Sequence, residues 1–355
     1  MEHLVALCDR FSGRFAGSDD ELAAGYYLLG QLRALGLADV YAEAFRYQGW
    51  RRGPAMVTML QPREQPLDAI ALPGSPPCDL TARVVAVGDG EEEDYARTGD
   101  GLRGAVALCN AESGIVGTPT SHRRAKYLRA VRAGAAAFLY VSQNPGMLAV
   151  TGGLASAAAA PIPGFGLGFE TGARIARLLE GGEVALHLEG RHELPEVTSR
   201  NLVAELPGAT RDDFVLVGAH YDGHDIAQGA GDNGSGTVAL LEAARVLAPF
   251  AGQLRRSVRF VWFAAEESGL LGSWWYARSH RDEAGRVGVV LNLDSVVAGP
   301  PGGQQIHCGN SRALEEQVAG LATRLGLDVQ VDGHLSSASD HFPFLTLGIP
   351  VATMG

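Results

Sequence analysis

Three apolar runs in the second half of the chain each end at a residue that can bind a metal ion. The runs read FVLVGAHYD, SVRFVWFAAEE and VGVVLNLD. Each is short and rich in Val, Phe and Leu, which is typical of a strand buried on both faces of a parallel sheet. They end at His220, at Glu266 and Glu267, and at Asp294, and Asp232 lies between the first two runs in AGDNGSG. Because ligands of open α/β sheets bind outside the carboxyl ends of the strands, these side chains predict a site at one edge of the sheet.

The remaining pattern predicts a helix, an edge strand and a second lobe. Apolar residues from Leu22 to Leu35 recur at helical spacing after the capping residues 18–20 and stop at Gly36. The segment VYAEAFRYQGW then alternates like an edge or hairpin strand. From about Leu80 to Leu188, short β-like runs are interleaved with two helical stretches, over 123–133 and 171–180, and few carboxylates or histidines stand at strand ends. We therefore expect no chemistry in this second lobe.

Length and charge narrow the class of protein. A chain of 355 residues favours about two domains. The net charge of −11 argues against nucleic-acid binding, which needs clustered Lys and Arg. No apolar run approaches the roughly 20 residues of a membrane span, and no signal peptide is visible. As written, we expect a cytoplasmic protein, or a secreted one if the N-terminus is incomplete. The oligomeric state does not follow from these features.

The glutamate pair after the second run indicates metal-assisted hydrolysis. Two adjacent carboxylates after so apolar a strand are costly unless a cation or proton compensates them. One of them can bind a metal ion while its neighbour acts as general base toward a water that the cation activates. A solvated pair in a loop is the alternative.

The other candidates each have a structural alternative as well. Asp222 lies two residues after His220, on the same side of an extended chain, where its carboxylate can orient the imidazole; otherwise it caps the turn before Gly223. Asp232 either caps the following helix or bridges two cations with its two oxygens. One histidine and several carboxylates form a ligand set that zinc accepts, and the lack of thiolates argues against a closed structural site.

Several motifs together resemble one enzyme family. The segments AHYD, AGDNGSG, FVWFAAEESGLLGS, NLDS and SDHFPFLTLGIP follow the order of the co-catalytic di-zinc aminopeptidase family, which also contains glutamate carboxypeptidase and glutaminyl cyclase. The segments LRGAVALCN, RAGAAAFLYVS and PIPGFGLGFETGARIARLLEGG resemble a protease-associated (PA) domain. The resemblance implies an α/β fold with a mixed, largely parallel central sheet flanked by helices, and an inserted β-rich PA domain. We expect the peptidase domain to comprise residues 1–78 and 192–355, and the PA domain residues 79–191.

The resemblance also implies roles for single residues. Asp232 would bridge two zinc ions, His220 and Asp294 would complete one site, Glu267 would bind the other ion, and Glu266 would be the general base. The last zinc ligand of the family is a histidine downstream of the GIP segment, and the chain stops at Gly355 before that position. If the sequence is complete, we expect the second ion to be held more weakly.

The resemblance favours a zinc aminopeptidase that removes N-terminal residues from a peptide substrate. A carboxypeptidase or a glutaminyl cyclase is the first alternative, since these would differ in pocket residues that the motifs do not identify. A non-catalytic binding protein on the same fold is the second alternative. For His341 in the SDHFPF segment, we expect a supporting polar role near the pocket rather than metal ligation.

Overall fold

The computed structural model describes residues 1–112, 120–154, 160–296 and 303–355, apart from the side chains at 211 and 212. The α-helices are α1 (Glu2–Phe11), α2 (Asp19–Ala34), α3 (Glu92–Thr98), α4 (Arg123–Arg132), α5 (Phe169–Gly181), α6 (Gly236–Leu247), α7 (Leu271–Ser279), α8 (Arg312–Leu325) and α9 (Phe342–Leu345). The strands are β1 (Ala38–Gln48), β2 (Ala55–Gln61), β3 (Gln65–Leu67), β4 (Ala69–Ala71), β5 (Cys78–Ala86), β6 (Val106–Asn110), β7 (Ala137–Val141), β8 (Gly164–Leu167), β9 (Ala185–Gly190), β10 (Glu196–Leu206), β11 (Thr210–His220), β12 (Arg256–Phe263), β13 (Val287–Leu293), β14 (Gln305–His307), β15 (Gln330–Asp332) and β16 (Val351–Met354). Within the described ranges, no helix has both the length and the apolar character that crossing a membrane requires.

The chain forms two compact units. The first comprises Met1–Tyr47 and Val197–Gly355, and the second comprises Gln48–Glu196. The boundaries expected from the sequence lay instead at 78/79 and 191/192. The difference arises from β2, which pairs antiparallel with β9 and so joins the sheet of the second unit.

The sheet of the first unit has the strand order β1-β10-β12-β11-β13-β16-β14-β15. The strands β12, β11, β13 and β16 are parallel neighbours, whereas β10 pairs antiparallel with β12 and β14 pairs antiparallel with β16. The predicted mixed, largely parallel sheet is confirmed, and β1 lies at its edge as expected. The three apolar runs are the adjacent strands β11, β12 and β13. Their register places His220, the last residue of β11, beside Phe263, the last residue of β12.

Both faces of this sheet are buried, as the continuous apolar runs predicted. On β12, Phe260 and Trp262 belong to a hydrophobic cluster formed with α1, α2 and α6. Val261 and Phe263 alternate with them and belong to a second cluster, formed with α7 and α9. Because successive side chains of a strand point to opposite faces, one apolar strand supplies both clusters.

The second unit has its own sheet, in the order β3-β2-β9-β5-β6-β7-β8-β4. The strands β5, β6, β7 and β8 are parallel, and β2, β9 and β5 form an antiparallel set. The predicted helical stretches are α4 and α5, which begin and end within two residues of the expected positions. Tyr127 of α4 is fully buried in the core of this unit, and its hydroxyl donates to the carbonyl of Ile162 at 2.7 Å.

Helix α2 contains a buried carboxylate, that of Glu21, in the first unit. Ser18 caps α2 by accepting from the N–H of Glu21, as the sequence predicted. The Glu21 side chain is almost fully buried, and its Oε2 accepts from the hydroxyl of Ser199 at 2.6 Å and from the N–H of Gly17 at 2.8 Å. Burial, followed by the negative charge of Asp222, raises the pKa of Glu21 to about 8. Glu21 is therefore protonated in the folded state over a pH range in which it is ionised in the unfolded state.

This raised pKa predicts a pH-dependent stability. Below the ordinary pKa of glutamate, Glu21 is protonated in both the folded and the unfolded state and adds no pH dependence to the free energy of unfolding. As the pH rises toward about 8, only the folded state keeps the proton, so the free energy of unfolding falls by up to roughly 1.4 kcal/mol per pH unit. In Glu21→Gln, urea unfolding between about pH 5 and pH 8 should lose this part of the slope. Glu316→Gln, which alters a side chain that is 68% exposed, should keep it. An unchanged slope in Glu21→Gln would refute the burial effect.

Candidate metal centre

The carboxyl ends of β11 and β13 bring three candidate ligands together. His220 ends β11, Asp294 follows the last residue of β13, and Asp232 lies in the irregular segment 230–235 before α6. The Nε2 atom of His220 is 3.2 Å from Asp232 Oδ1 and 3.4 Å from Asp294 Oδ1. One ligand atom from each of the three residues lies within 4.8 Å of the others. We call these three residues the sheet-end cluster.

The imidazole of His220 is buried and oriented toward this cluster. Its Nδ1 lies 3.2 Å from the backbone carbonyl of Asp222 and 3.6 Å from the Oδ1 of the same residue. A carbonyl oxygen only accepts, so Nδ1 donates to it, and Nε2 is left to face two carboxylates. Burial would lower the pKa of His220, but the carboxylates of Glu266 and Asp294 raise it well above its ordinary value. The surroundings of Nε2 therefore stabilise a positive charge there, either a proton or a bound cation.

Asp294 is held by polar neighbours on β13 and in the segment before α9. The hydroxyl of Ser339 donates to Asp294 Oδ2, and the side-chain amide of Asn292 donates to Ser339 Oγ at 2.8 Å. Burial alone would raise the pKa of Asp294, but the charge of His220 and the hydrogen bonds of the His220, Ser339 and Ser295 side chains lower it to about 2. The Asp294 carboxylate is thus kept ionised and fixed in direction, as a metal ligand must be.

Asp232 does not cap the helix that follows it. The N–H of Gly236, the first residue of α6, instead donates to Asn233 Oδ1 at 2.9 Å, and the same oxygen accepts from the N–H of Ser295 at 3.0 Å. The Asn233 amide also donates to the carbonyl of Leu293 at 2.8 Å, which ties the segment to the end of β13. The Asp232–Asn233 peptide bond is cis. The Asp232 side chain is 56% exposed, so one side of the sheet-end cluster is open to solvent.

The glutamate pair follows β12 and is anchored by Asp222. The two oxygens of the fully buried Asp222 carboxylate accept from the N–H of Glu266 at 3.0 Å and from the N–H of Glu267 at 3.2 Å. Burial raises the pKa of Glu266 well above its ordinary value, and the carboxylates of Asp340 and Glu267 add to this effect against the opposing charge of His220. With Glu266 buried and the Glu267 side chain only 11% exposed, the pair is not a solvated loop pair.

The ligand set fits a divalent metal ion. Two ligands bound 2.0–2.2 Å from one ion are roughly 2.9–3.5 Å apart, and the His220 distances to Asp232 and Asp294, 3.2 and 3.4 Å, lie in this range. In the described part of the chain, Glu267 Oε1 is buried and has no hydrogen-bond partner. A buried carboxylate oxygen without a donor is costly unless a cation satisfies it. Nitrogen and carboxylate oxygen together suit zinc.

The predicted residues do not all fall into one group. His220, Asp232 and Asp294 form the sheet-end cluster, whereas the Oε2 of Glu267 lies 3.0 Å from the Nε2 of His224. The sequence pattern predicts no role for His224, which follows Asp222 by two residues.

Two residues of the SDHFPF segment complete the surroundings. Ser339, for which the sequence predicts no role, contacts Asp294. His341 is buried, and its Nε2 lies 3.0 Å from the carbonyl of Ser336. The supporting role expected of His341 stays a prediction.

A mixed, largely parallel sheet with an imidazole and carboxylates at the carboxyl ends of its parallel strands is the architecture expected of the zinc exopeptidase fold. Residues 201–355 match the model of peptidase family M28, and residues 80–175 match the PA domain model. These matches confirm the resemblance: the chain combines a peptidase family M28 region with a PA domain inserted in its sequence.

Individual relatives extend the similarity over nearly the whole chain. Carboxypeptidase Q of Homo sapiens is 27% identical and aligns with 99% of this chain and 76% of its own length. A probable leucine aminopeptidase 2 of Trichophyton verrucosum is 31% identical over 88% of this chain and 61% of its own length. The solved structure of a zinc aminopeptidase from Bacillus subtilis superposes with a TM-score of 0.77 at 26% identity, covering 99% of this chain and 83% of that one. The chain is thus similar to exopeptidases of two specificities.

The contacts of Asp222 give a testable prediction. In Asp222→Asn, the amide oxygen can still accept from the N–H of Glu266 or of Glu267. The amide NH₂ replaces the second oxygen and is itself a donor, so the other backbone N–H loses its acceptor. We expect the free energy of urea unfolding, measured with a chelator present, to fall by about 1–3 kcal/mol. The exposed substitution Asp328→Asn should stay within about 0.5 kcal/mol of the wild type. Equal stabilities for the two variants would contradict the anchoring role.

Proposed function

We propose that this protein is a zinc-dependent aminopeptidase that binds two zinc ions and releases N-terminal residues from peptides. The observation that carries the proposal is the sheet-end cluster, in which His220 Nε2 faces Asp232 and Asp294 at 3.2 and 3.4 Å. The names of the relatives support the metal and the reaction class, since a zinc aminopeptidase and leucine aminopeptidases are among them.

Each residue of the site has a separate role in this proposal. His220 and Asp294 would hold one ion, Glu267 would hold the other, and Asp232 would contribute a ligand to both. When bound, zinc would supply Lewis acidity, which lowers the pKa of water so that a nucleophilic hydroxide can form at neutral pH, and which polarises the scissile carbonyl. Asp222 is a positioning residue, because it orients His220 through its backbone carbonyl and the glutamate pair through its carboxylate.

Glu266 is the general base of the proposed reaction. It takes a proton from the attacking water and returns it to the amine that leaves. Burial raises the pKa of Glu266, and this direction makes the carboxylate a stronger base than a solvated glutamate. The backbone of Glu266 is held by Asp222 and by hydrogen bonds from the N–H groups of Gly269 and Leu270 to its carbonyl, at 2.8 Å each. The base is therefore fixed in place before substrate binds.

Carboxypeptidase chemistry is the second candidate, because carboxypeptidase Q aligns with nearly the whole chain. Two substrates separate the candidates. Leucine 4-nitroanilide offers a free amine and no carboxylate, whereas an N-acetylated dipeptide offers a free carboxylate and no amine. We expect hydrolysis of leucine 4-nitroanilide and not of the N-acetylated dipeptide. Hydrolysis of the N-acetylated dipeptide and not of leucine 4-nitroanilide would refute the aminopeptidase proposal and indicate a carboxypeptidase.

Replacement of the general base tests the mechanism. In Glu266→Gln we expect kcat for leucine 4-nitroanilide to fall about 10²–10⁴-fold, with two zinc ions per chain still measured by mass spectrometry. Glu316→Gln, an exposed substitution on α8, should change neither quantity. Full activity in Glu266→Gln, or activity in a protein stripped of metal, would contradict the proposed mechanism.

A further inference from the structure

His224 belongs to the loop that follows β11, and its side chain lies beside that of Glu267. Its Nε2 lies 3.0 Å from Glu267 Oε2, and the two side chains are 22% and 11% exposed. This separation falls in the range of roughly 2.9–3.5 Å expected for two ligands of one zinc ion. It also matches the separations of 3.2 and 3.4 Å within the sheet-end cluster. The pair can thus share an ion with little movement of either side chain.

An ordinary imidazole–carboxylate hydrogen bond accounts for only part of this geometry. Such a bond engages one oxygen of Glu267, whereas the other, Oε1, is buried and lacks a hydrogen-bond partner among the described residues. A metal ion between the two side chains can bind Oε1 as well as Oε2, because carboxylates bind metals through one or both oxygens. The ion would satisfy the oxygen that the hydrogen bond leaves without a partner.

The loop that carries His224 is clamped by Arg14. The fully buried guanidinium of Arg14 donates to the carbonyls of Tyr221, Gln228 and Gly229 at 2.8–2.9 Å. Gly13 lies so close to this loop that a Cβ there would be 2.4 Å from the carbonyl oxygen of His224. Both ends of the loop and the backbone of His224 are therefore fixed. A ligand held by a rigid backbone loses little entropy on binding a metal ion.

We propose that His224 is a ligand of the second metal ion, which it shares with Glu267. This inference rests on the proposed two-zinc function and deepens it, because it places a neutral nitrogen donor beside the Glu267 carboxylate. A site with imidazole and carboxylate ligands takes zinc and its close analogues cadmium and cobalt in preference to calcium or magnesium.

The test is direct observation of the metal–nitrogen bond in the full chain. The protein is labelled with ¹⁵N-histidine and loaded with ¹¹³Cd, and the ¹¹³Cd–¹⁵N couplings are recorded by NMR. We expect two coupled imidazole nitrogens, from His220 and His224, each to a different cadmium ion. In His224→Gln one coupling should disappear, and the Kd of the second cadmium, measured by chelator competition, should rise at least about tenfold.

A matched control comes from another imidazole–glutamate pair in the same unit. His280 Nε2 lies 3.0 Å from Glu43 Oε1, the same separation as in the His224–Glu267 pair. Neither His280 nor Glu43 is a proposed ligand of the metal centre. His280→Gln should keep both couplings and both cadmium affinities. Thermal unfolding of the metal-free variants, with midpoints close to that of the wild type, verifies that His224→Gln folds.

The outcomes separate the two proposals. If wild type and His224→Gln both bind two cadmium ions with equal affinity and equal couplings, His224 is not a ligand, and the two-ion function stands. If the second cadmium binds more weakly in the variant but wild type has only the His220 coupling, His224 acts on Glu267 through a hydrogen bond, and the ligand assignment is overturned. If wild type binds fewer than two ions, the two-ion function itself fails, and this inference fails with it.

Discussion

The buried carboxylate of Asp222 is the constraint on which the site depends. Its two oxygens accept from the N–H groups of Glu266 and Glu267, and its backbone carbonyl accepts from His220 Nδ1. One residue thereby joins the end of β11 to the turn after β12, and it sets both the tautomer of the imidazole and the direction of the glutamate backbone. The parallel register of the two strands makes this possible, because it brings His220 and Phe263 to the same height.

The electrostatics of the centre reflect burial together with several carboxylates gathered around one imidazole. Against the effect of burial, the neighbouring carboxylates raise the pKa of His220, and the charge of His220 lowers the pKa of Asp294. Glu266 responds in the opposite direction to Asp294, since burial and the carboxylates of Asp340 and Glu267 raise its pKa. Without a cation, one imidazole must compensate several carboxylates. Divalent ions at this position would compensate the excess of negative charge, which is otherwise costly to bury.

The sequence predicted the strands and the residues at their ends well, because apolar runs buried on both faces leave little freedom in where a strand stops. It predicted the limits of the second unit less well. The strand β2 pairs with β9, more than a hundred residues later, and such a long-range pairing leaves no local signal. The roles of Asn233 and His224 were also missed. Both depend on how irregular segments fold back against strand ends, which hydrophobic periodicity does not encode.

We propose that the carboxyl end of this sheet binds two metal ions on the named residues. Anomalous diffraction at the zinc edge, from crystals of the zinc-loaded protein, would locate these ions. We expect two peaks, one among His220, Asp232 and Asp294 and a second within bonding distance of Glu267 and His224. A single peak, or peaks at residues outside this set, would contradict it.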